Sequence, residues 1–538
     1  DTVSRSKPLY LLVITGVWAS PRLDPLVDSK KGLIRGLQAT DGDYAMFLGI
    51  PYAMVNYTNP FGAALPYPDF EGTFEAYDDS AICVQNLQRT DQAIGSLDCL
   101  HLNIYVPNKA SSSNKLPVIF WIHGGIFLHG NGGRTQFGAK YLVKKDVILV
   151  TINYRVGLYG FMCLDTPEVP GNQGLKDQVA ALRWIKENIE AFGGDPNKVT
   201  ISGASAGGVS VDYHLLTKTE GLFDKVISQS GTSLCPWGVM ESDRHVPIRI
   251  ATHLGYVTDD INEAVQYLAT LDPKVVVTAA FDLSITCVPC VEKEFEGVEN
   301  FITEHPMNYD IPKAKNTPIL IGYTNMEKLF EFYNKLADKY DEREIFEDNL
   351  ALAFHTIDDD QVKLVRQFYI GDEPVSENVK YELTDYDSDF TFIHPIHRRL
   401  SSYLENNGTV YHYVFRYSGD RNFGKMKDNI IYPGAIHSDE YGYLFNMAVL
   451  TDTPTVEDQV TIDRMTTMWS NFAKYGDPTP EISELLPIKW MPITKGALNY
   501  LEIDKELTMK KRSYHARMAF WDLYYQTNKK SLRGYKDK

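Results

Sequence analysis

Residues 116–208 carry an alternation of patterns that few architectures can satisfy. Leu116–Gly125 opens with a nearly unbroken apolar run, Pro-Val-Ile-Phe-Trp-Ile, and closes on His-Gly-Gly. A strand without polar alternation has both faces buried, as in parallel sheets covered by helices. Asp146–Tyr154 (DVILVTINY) repeats the pattern. From Leu175 onward, Val179, Leu182, Ile185, Ile189 and Phe192 recur at three- and four-residue steps, which makes one apolar helix stripe. Gly193-Gly194 stops that helix and Asp195-Pro196-Asn197 turns the chain. Lys198–Gly203 (KVTISG) is the next strand, and the small residues beyond Ser205 open another helix. This alternation predicts an α/β fold around a mostly parallel sheet. Further strands are expected at Val226–Ser230, Pro318–Tyr323 and Val410–Tyr417. The charge-dense Asp338–Glu347 reads as a solvated helix face.

The 53 Lys and Arg against 70 Asp and Glu leave a net charge of −17. Nucleic acid needs basic patches, so it is not the expected partner. Neutral or cationic small molecules fit better. At the N-terminus, Arg5 and Lys7 precede an apolar run from Leu9 to Ala19. A membrane span needs about 20 such residues, so this run is too short. It has the shape of a signal-peptide core with Ala19 at the cut, and its alternative is a buried β-strand. No other stretch is long enough to cross a bilayer. Six cysteines stand at positions 83, 99, 163, 235, 287 and 290. Cys83 and Cys99 enclose a short polar loop, as a bridge in an oxidising compartment would. Cys287-Val-Pro-Cys290 has the look of a CxxC, but no second pair lies at zinc spacing. The pairing of Cys163, Cys235, Cys287 and Cys290 stays open. Asn56-Tyr57-Thr58 and Asn407-Gly408-Thr409 are glycosylation sequons. Together these features favour secretion, with an intracellular location as the alternative.

Gly203-Ala204-Ser205-Ala206-Gly207 matches G-x-S-x-G between a predicted strand and a predicted helix, the setting a nucleophile elbow requires. A serine is a poor nucleophile unless a base takes its proton and an acid orients the base. In this fold class the chain order is serine, acid, histidine. Glu327 follows the strand ending near Tyr323, where open α/β sheets keep their active sites. His437 lies in the polar loop Gly434–Glu440. Singly, each has a bland reading as a solvated side chain. The glycine-rich turn His123–Phe127 can aim backbone N–H groups at an oxyanion. His394 and His397 stand at i, i+3 but lack a third ligand, so no metal is expected.

These motifs resemble the type-B carboxylesterase and cholinesterase family of α/β-hydrolases, above all its insect carboxylesterases. The residues that carry the resemblance are Ser96–Asn103, His123–Phe127, Gly171–Gln178, Gly193–Pro196, Gly203–Gly208, Ser228–Gly231, Gly434–Glu440 and Trp469–Ala473. The resemblance as a whole extends from about residue 28 to about residue 500. The resemblance implies an α/β-hydrolase fold: a large, mostly parallel central sheet flanked by helices, with long insertions around the active site. It makes Ser205 the nucleophile, His437 the base and then acid, and Glu327 the orienting carboxylate. The anion-hole donors fall on the N–H groups of Gly125, Ile126 and Ala206, and Cys83–Cys99 matches the family's first disulfide. Length alone suggests three or four domains. A site drawn from such distant segments implies one catalytic domain over 20–538, after the segment 1–19.

The implied activity is a serine carboxylic-ester hydrolase acting on small to medium neutral esters through an acyl-enzyme, without cofactor or metal. Detoxification or turnover of semiochemical or hormone esters would be its setting, and organophosphate or pyrethroid-type compounds its further inhibitors or substrates. The alternative is a slow stoichiometric scavenger or a non-catalytic binding homologue of the same fold. Three positions depart from the family pattern. Ala204 stands where many members have Glu. Ile126 takes the third place of the glycine turn, where its β-branch resists φ > 0 and narrows the pocket. Lys328 stands where Gly is common, and either pairs with Glu327 or points to solvent. The Cys83–Cys99 loop holds no aromatic residue. That argues against acetylcholine, which needs a cation–π partner. Ala204 also argues against a juvenile hormone esterase, which usually has Gln there.

Overall fold

The computed structural model describes residues 24–536 other than Arg89. The apolar run 9–19 lies outside the described residues. Among the described residues eleven strands form the main sheet. In chain order they are β1 (Leu37–Gln38), β2 (Tyr44–Pro51), β3 (His101–Pro107), β4 (Leu116–Ile122), β5 (Ile148–Ile152) and β6 (Gly194–Ala204). They continue with β7 (Lys225–Gln229), β8 (Ile319–Thr324), β9 (Val410–Phe415), β10 (Asn499–Ile503) and β11 (Leu507–Lys511). Their spatial order is β11-β10-β9-β8-β7-β6-β4-β5-β3-β2-β1. From β5 to β10 every pairing is parallel, and the two margins are antiparallel.

The apolar runs are continuous because the sheet has a core on each face. Along β4, Val118, Phe120 and Ile122 join one core, while Ile119 and Trp121 join the other. Helix α1 (Gln173–Asn188) lays Leu175, Val179, Leu182 and Ile185 on the first of these. A 3₁₀ turn at Ile189–Phe192 ends it, and Gly193 reverses the chain at φ 81°. Asp195-Pro196-Asn197, expected as a turn, already belongs to the strand Gly194–Ala204, and there Asp195 accepts from the Asn197 N–H at 2.9 Å.

The chain steps from β4 to β5 on one side and then returns to β6 on the other side of β4. This reversal is a topological switch point, where the carboxyl ends of neighbouring strands open a crevice. Ile122 is level with Gly203 in the β4–β6 register. The segments that follow β4 and β6 therefore emerge side by side.

Two expectations need correction. The strand drawn to Gly125 ends at Ile122, because His123 begins the turn described below. Asp338–Glu347 is not one helix face. It holds a 3₁₀ turn (Ala337–Lys339) and the start of a single π turn (Glu344–Asp348), whose Ile345 and Phe346 are buried. Two adjacent buried apolar residues in that charged run override its polar composition.

Candidate active site

Ser205 joins β6 to helix α2 (Ala206–Leu216) with φ 58° and ψ −125°. A non-glycine residue pays about 1–3 kcal/mol for such a backbone. Bonds on both sides hold it there: its N–H donates to the Gln229 carbonyl at 2.8 Å, and its carbonyl accepts from the Val209 N–H at 2.9 Å. The residues two positions away on each side must be glycines. A Cβ on Gly203 would sit 2.5 Å from the Gly207 carbonyl carbon, and one on Gly207 would sit 2.1 Å from the Ile122 oxygen. The tight turn leaves Ser205 on the wall of a cavity of about 1180 Å³, at the amino end of α2. That helix end favours negative charge.

The turn after β4 lines the same cavity. Gly125 has φ 114°, Ile126 φ 48° and Phe127 φ 62°. Ile126 therefore does adopt the conformation its β-branch resists. Two features hold the turn. The Gly125 carbonyl accepts from the N–H groups of Leu128 and His129, at 2.9 and 3.1 Å. The Phe127 ring is fully buried, 5.0 Å from that of Phe161. Burying a phenylalanine is worth about 1.5–3 kcal/mol, which offsets part of the strain. The Ile126 side chain is 47 % exposed and projects as an apolar ledge. Among the described residues no acceptor takes the N–H of Gly125, Ile126 or Ala206. Below the turn, His123 stacks on Tyr154 with ring centroids 4.4 Å apart. Burial pushes its imidazole down to about 4, so it is neutral.

Glu327 and His437 arrive on two loops bonded to each other. The Met326 N–H donates to the Ala435 carbonyl at 3.0 Å, the Ala435 N–H to Asn325 Oδ1 at 2.9 Å, and the His437 N–H to the Glu327 carbonyl at 3.3 Å. His437 Nδ1–H donates to Glu327 Oε2 at 2.6 Å. The carboxylate is fully buried, and its Oε1 accepts from Ser230 Oγ at 2.5 Å and from the Thr324 N–H at 2.8 Å. The imidazole lines the same cavity as Ser205, with the Phe392 ring 4.8 Å away.

Three supporting residues were not singled out from sequence. Ser230 holds Glu327, as above. Asp439 accepts from the N–H groups of Ile436 and Lys425, at 2.7 and 3.0 Å, and so shapes the histidine loop. Glu440 is buried, accepts from Tyr413 Oη at 3.1 Å, and is pushed up to about 8 by burial and then by the charge of Glu327. All three stand in motifs already quoted, Ser228–Gly231 and Gly434–Glu440. Their roles depend on contacts that local sequence does not encode.

Lys328 pairs with neither Glu327 nor solvent. Its Nζ lies 3.4 Å from both Glu331 and Asp387, and its N–H donates to Ser388 Oγ at 3.0 Å. Cys83 and Cys99 are bridged, and so are Cys163 and Cys290. The CxxC is thus split: Cys287 is a buried free thiol, as is Cys235. His394 Nε2 bonds Asp522 at 2.9 Å, and His397 Nε2 bonds Tyr323 Oη at 2.9 Å. Among the described residues no group of three His, Cys, Asp or Glu could hold a metal ion.

Comparison with known proteins agrees with this architecture. The profile of the carboxylesterase family matches residues 23–521. Bile salt-activated lipase of Homo sapiens is 31 % identical over 96 % of this chain and 72 % of its own length. Esterase FE4 of Myzus persicae is 32 % identical over 90 % of this chain and 89 % of its own. The crystal structure of juvenile hormone esterase from Manduca sexta, with OTFP covalently attached, superposes with a TM-score of 0.83. It is 27 % identical and covers 94 % of this chain and all of its own. A sheet that switches direction at a serine elbow, matched along nearly its whole length, leaves one conclusion: this chain belongs to the carboxylesterase family, as a carboxylic-ester hydrolase of the α/β-hydrolase fold.

Proposed function

We propose that Ser205, His437 and Glu327 hydrolyse neutral carboxylic esters through an acyl-enzyme. The observation that carries the reading is the 2.6 Å bond between His437 and the buried Glu327, on a cavity that also holds Ser205 at its strained elbow. The buried carboxylate fixes the imidazole with Nδ1 protonated, which leaves Nε2 as the base. Ser205 Oγ attacks the carbonyl carbon as His437 takes its proton. The N–H groups of Gly125, Ile126 and Ala206 receive the oxyanion, each worth roughly 10²–10³ in rate. Collapse expels the alcohol, protonated by His437. Water then repeats the cycle and releases the acid.

The substrate class follows from the walls. Trp237, Val277, Phe281, Leu352 and Phe392 line the cavity, which suits an apolar ester. The relatives are named as an esterase, a juvenile hormone esterase and a lipase, so ester hydrolysis is their common ground and the substrate is not. Ile126 is the ledge that limits the group beside the anion hole. A panel of esters varied separately in acyl and alcohol length tests this reading. Ile126→Gly should raise the rate on bulky esters relative to small ones, and an unchanged ratio would remove the ledge from the account.

A secreted, glycosylated protein fits the remaining features. Asn407 is exposed on a turn at φ 58°, and Asn56 accepts from the Thr58 hydroxyl of its own sequon at 2.8 Å. Among the described residues no helix is long and apolar enough to cross a membrane. Enzymatic removal of N-glycans should lower the mass of protein made in a secretory host. No change would leave both sequons unused.

A further inference from the structure

A second cavity of about 580 Å³ lies beside the first. Leu352 borders both, and in the 3₁₀ turn Pro236–Gly238 Trp237 faces the catalytic cavity while Pro236 faces the other. Much of its wall is apolar, including Val239, Met240, Val291, Met307 and Leu532. Its carboxylates are spoken for. Asp165 pairs with Lys293 at 3.3 Å, Glu241 with Arg533 at 3.3 Å, Glu304 with Lys536 at 3.7 Å, and Glu292 with Lys176 at 2.8 Å.

Arg398 is the cation left over. Its guanidinium stacks on the Tyr525 ring, 4.6 Å from the centroid, and no carboxylate among the described residues pairs with it. Asp522, the acid whose field it feels, gives its Oδ1 to His394. The Arg398 charge is felt across the cavity. Burial, and then the charges of Arg398 and Arg399, push the His305 imidazole down to about 4. Asp522 supplies counter-charge at longer range, no carboxylate among the described residues occupies the guanidinium's planar fork, and that fork matches one.

We propose that this cavity is a binding site for an organic carboxylate with an apolar tail, the charged head on Arg398 and the tail along the Met240–Leu532 wall. That is the class of acid an ester hydrolase releases, so the identity of the ligand, though not the existence of the site, rests on the function proposed above. The product acid would form on the far side of the Trp237–Leu352 partition.

Isothermal titration of the whole chain with sodium decanoate tests it, before and after Ser205 is blocked by an alkyl fluorophosphonate. One decanoate should bind per chain in both states. Arg398→Gln should weaken binding at least tenfold, and Arg398→Lys should weaken it less. Decanol, with the same tail and no charge, should bind the native chain at least tenfold more weakly, a comparison that survives if Arg398→Gln fails to fold. Binding abolished by the block would put the acid in the catalytic cavity and overturn the proposal. So would Arg398→Gln binding as tightly as the native chain, decanol matching decanoate, or no binding at millimolar decanoate. If the fluorophosphonate leaves Ser205 unmodified, the proposed catalytic reading fails instead, and the Arg398 and decanol comparisons still decide the site.

Discussion

Ser205 and the Gly125 turn stand at the ends of adjacent strands, set level by the β4–β6 register. Glu327 and His437 lie 110 residues apart in sequence and reach the same cavity on loops. The first half is shaped by local sterics: glycines where a Cβ would strike backbone, and positive φ at three consecutive residues. The second is shaped by hydrogen bonds between distant segments, with Ser230 and Asn325 as the ties, and by Asp439 within the histidine loop. The difference teaches that one site can divide its tasks. In the proposed mechanism, the groups that receive negative charge sit on backbone held by local sterics, and those that move a proton sit in a polar network whose ties can be cut one by one.

Cutting the nucleophile should have the largest effect. Ser205→Ala should lower kcat by about 10⁴–10⁶-fold with the melting temperature unchanged, measured with a chromogenic ester. Glu327→Gln comes next. It keeps the shape of the pair but not its charge, and should lower kcat by about 10⁴-fold with little change in KM. In the steric half, Gly207→Ala would press a methyl group against the Ile122 carbonyl. It should cost about 2–4 kcal/mol of stability by denaturant titration, a loss that Ser205→Ala does not share. Ser230→Ala removes one bond to a buried carboxylate, worth about 1.5–3 kcal/mol, and should lower kcat by about ten- to a hundredfold. A Ser230→Ala enzyme at full rate would show that the polar half does not depend on its ties.

The last effect is a pH dependence of stability rather than of rate. Glu440 is raised from the ordinary 4.5 to about 8, so the folded state holds a proton that the unfolded state releases. Its contribution to stability therefore falls as pH climbs from about 4.5 to about 8, and is constant above. Glu440→Gln should raise the melting temperature by an amount that grows across that window. Buried histidines act from the other side. His394 and His412 are held down to about 4 by burial, so stability should also fall as pH drops from 6.5 toward 4. A melting temperature flat over both windows would remove these groups from the account.

What could be read from sequence follows the same division. Nearly unbroken apolar runs marked β4 and β5 because each strand is buried on both faces. Ser205 was readable because its strain demands small neighbours within two residues. Glu327 and His437 became readable only through the family resemblance, since each alone resembles a solvated side chain. Ser230 could not be given its role, because its bond to Glu327 spans 97 residues. The Cys163–Cys290 bridge spans 127, and the nearer spacing of Cys287 pointed elsewhere. Lys328 turned away from Glu327 because Asp387 and Glu331 surround its ammonium, a placement only the fold creates.

The most direct measurement is the site and rate of covalent modification by an alkyl fluorophosphonate, followed by intact mass and peptide mapping. One adduct per chain should form on the peptide holding Ser205, at least about 10³-fold more slowly in Glu327→Gln, and not at all in Ser205→Ala. An adduct on another residue, or a Glu327→Gln chain labelled at the native rate, would contradict a relay in which the carboxylate orients the imidazole that activates the serine.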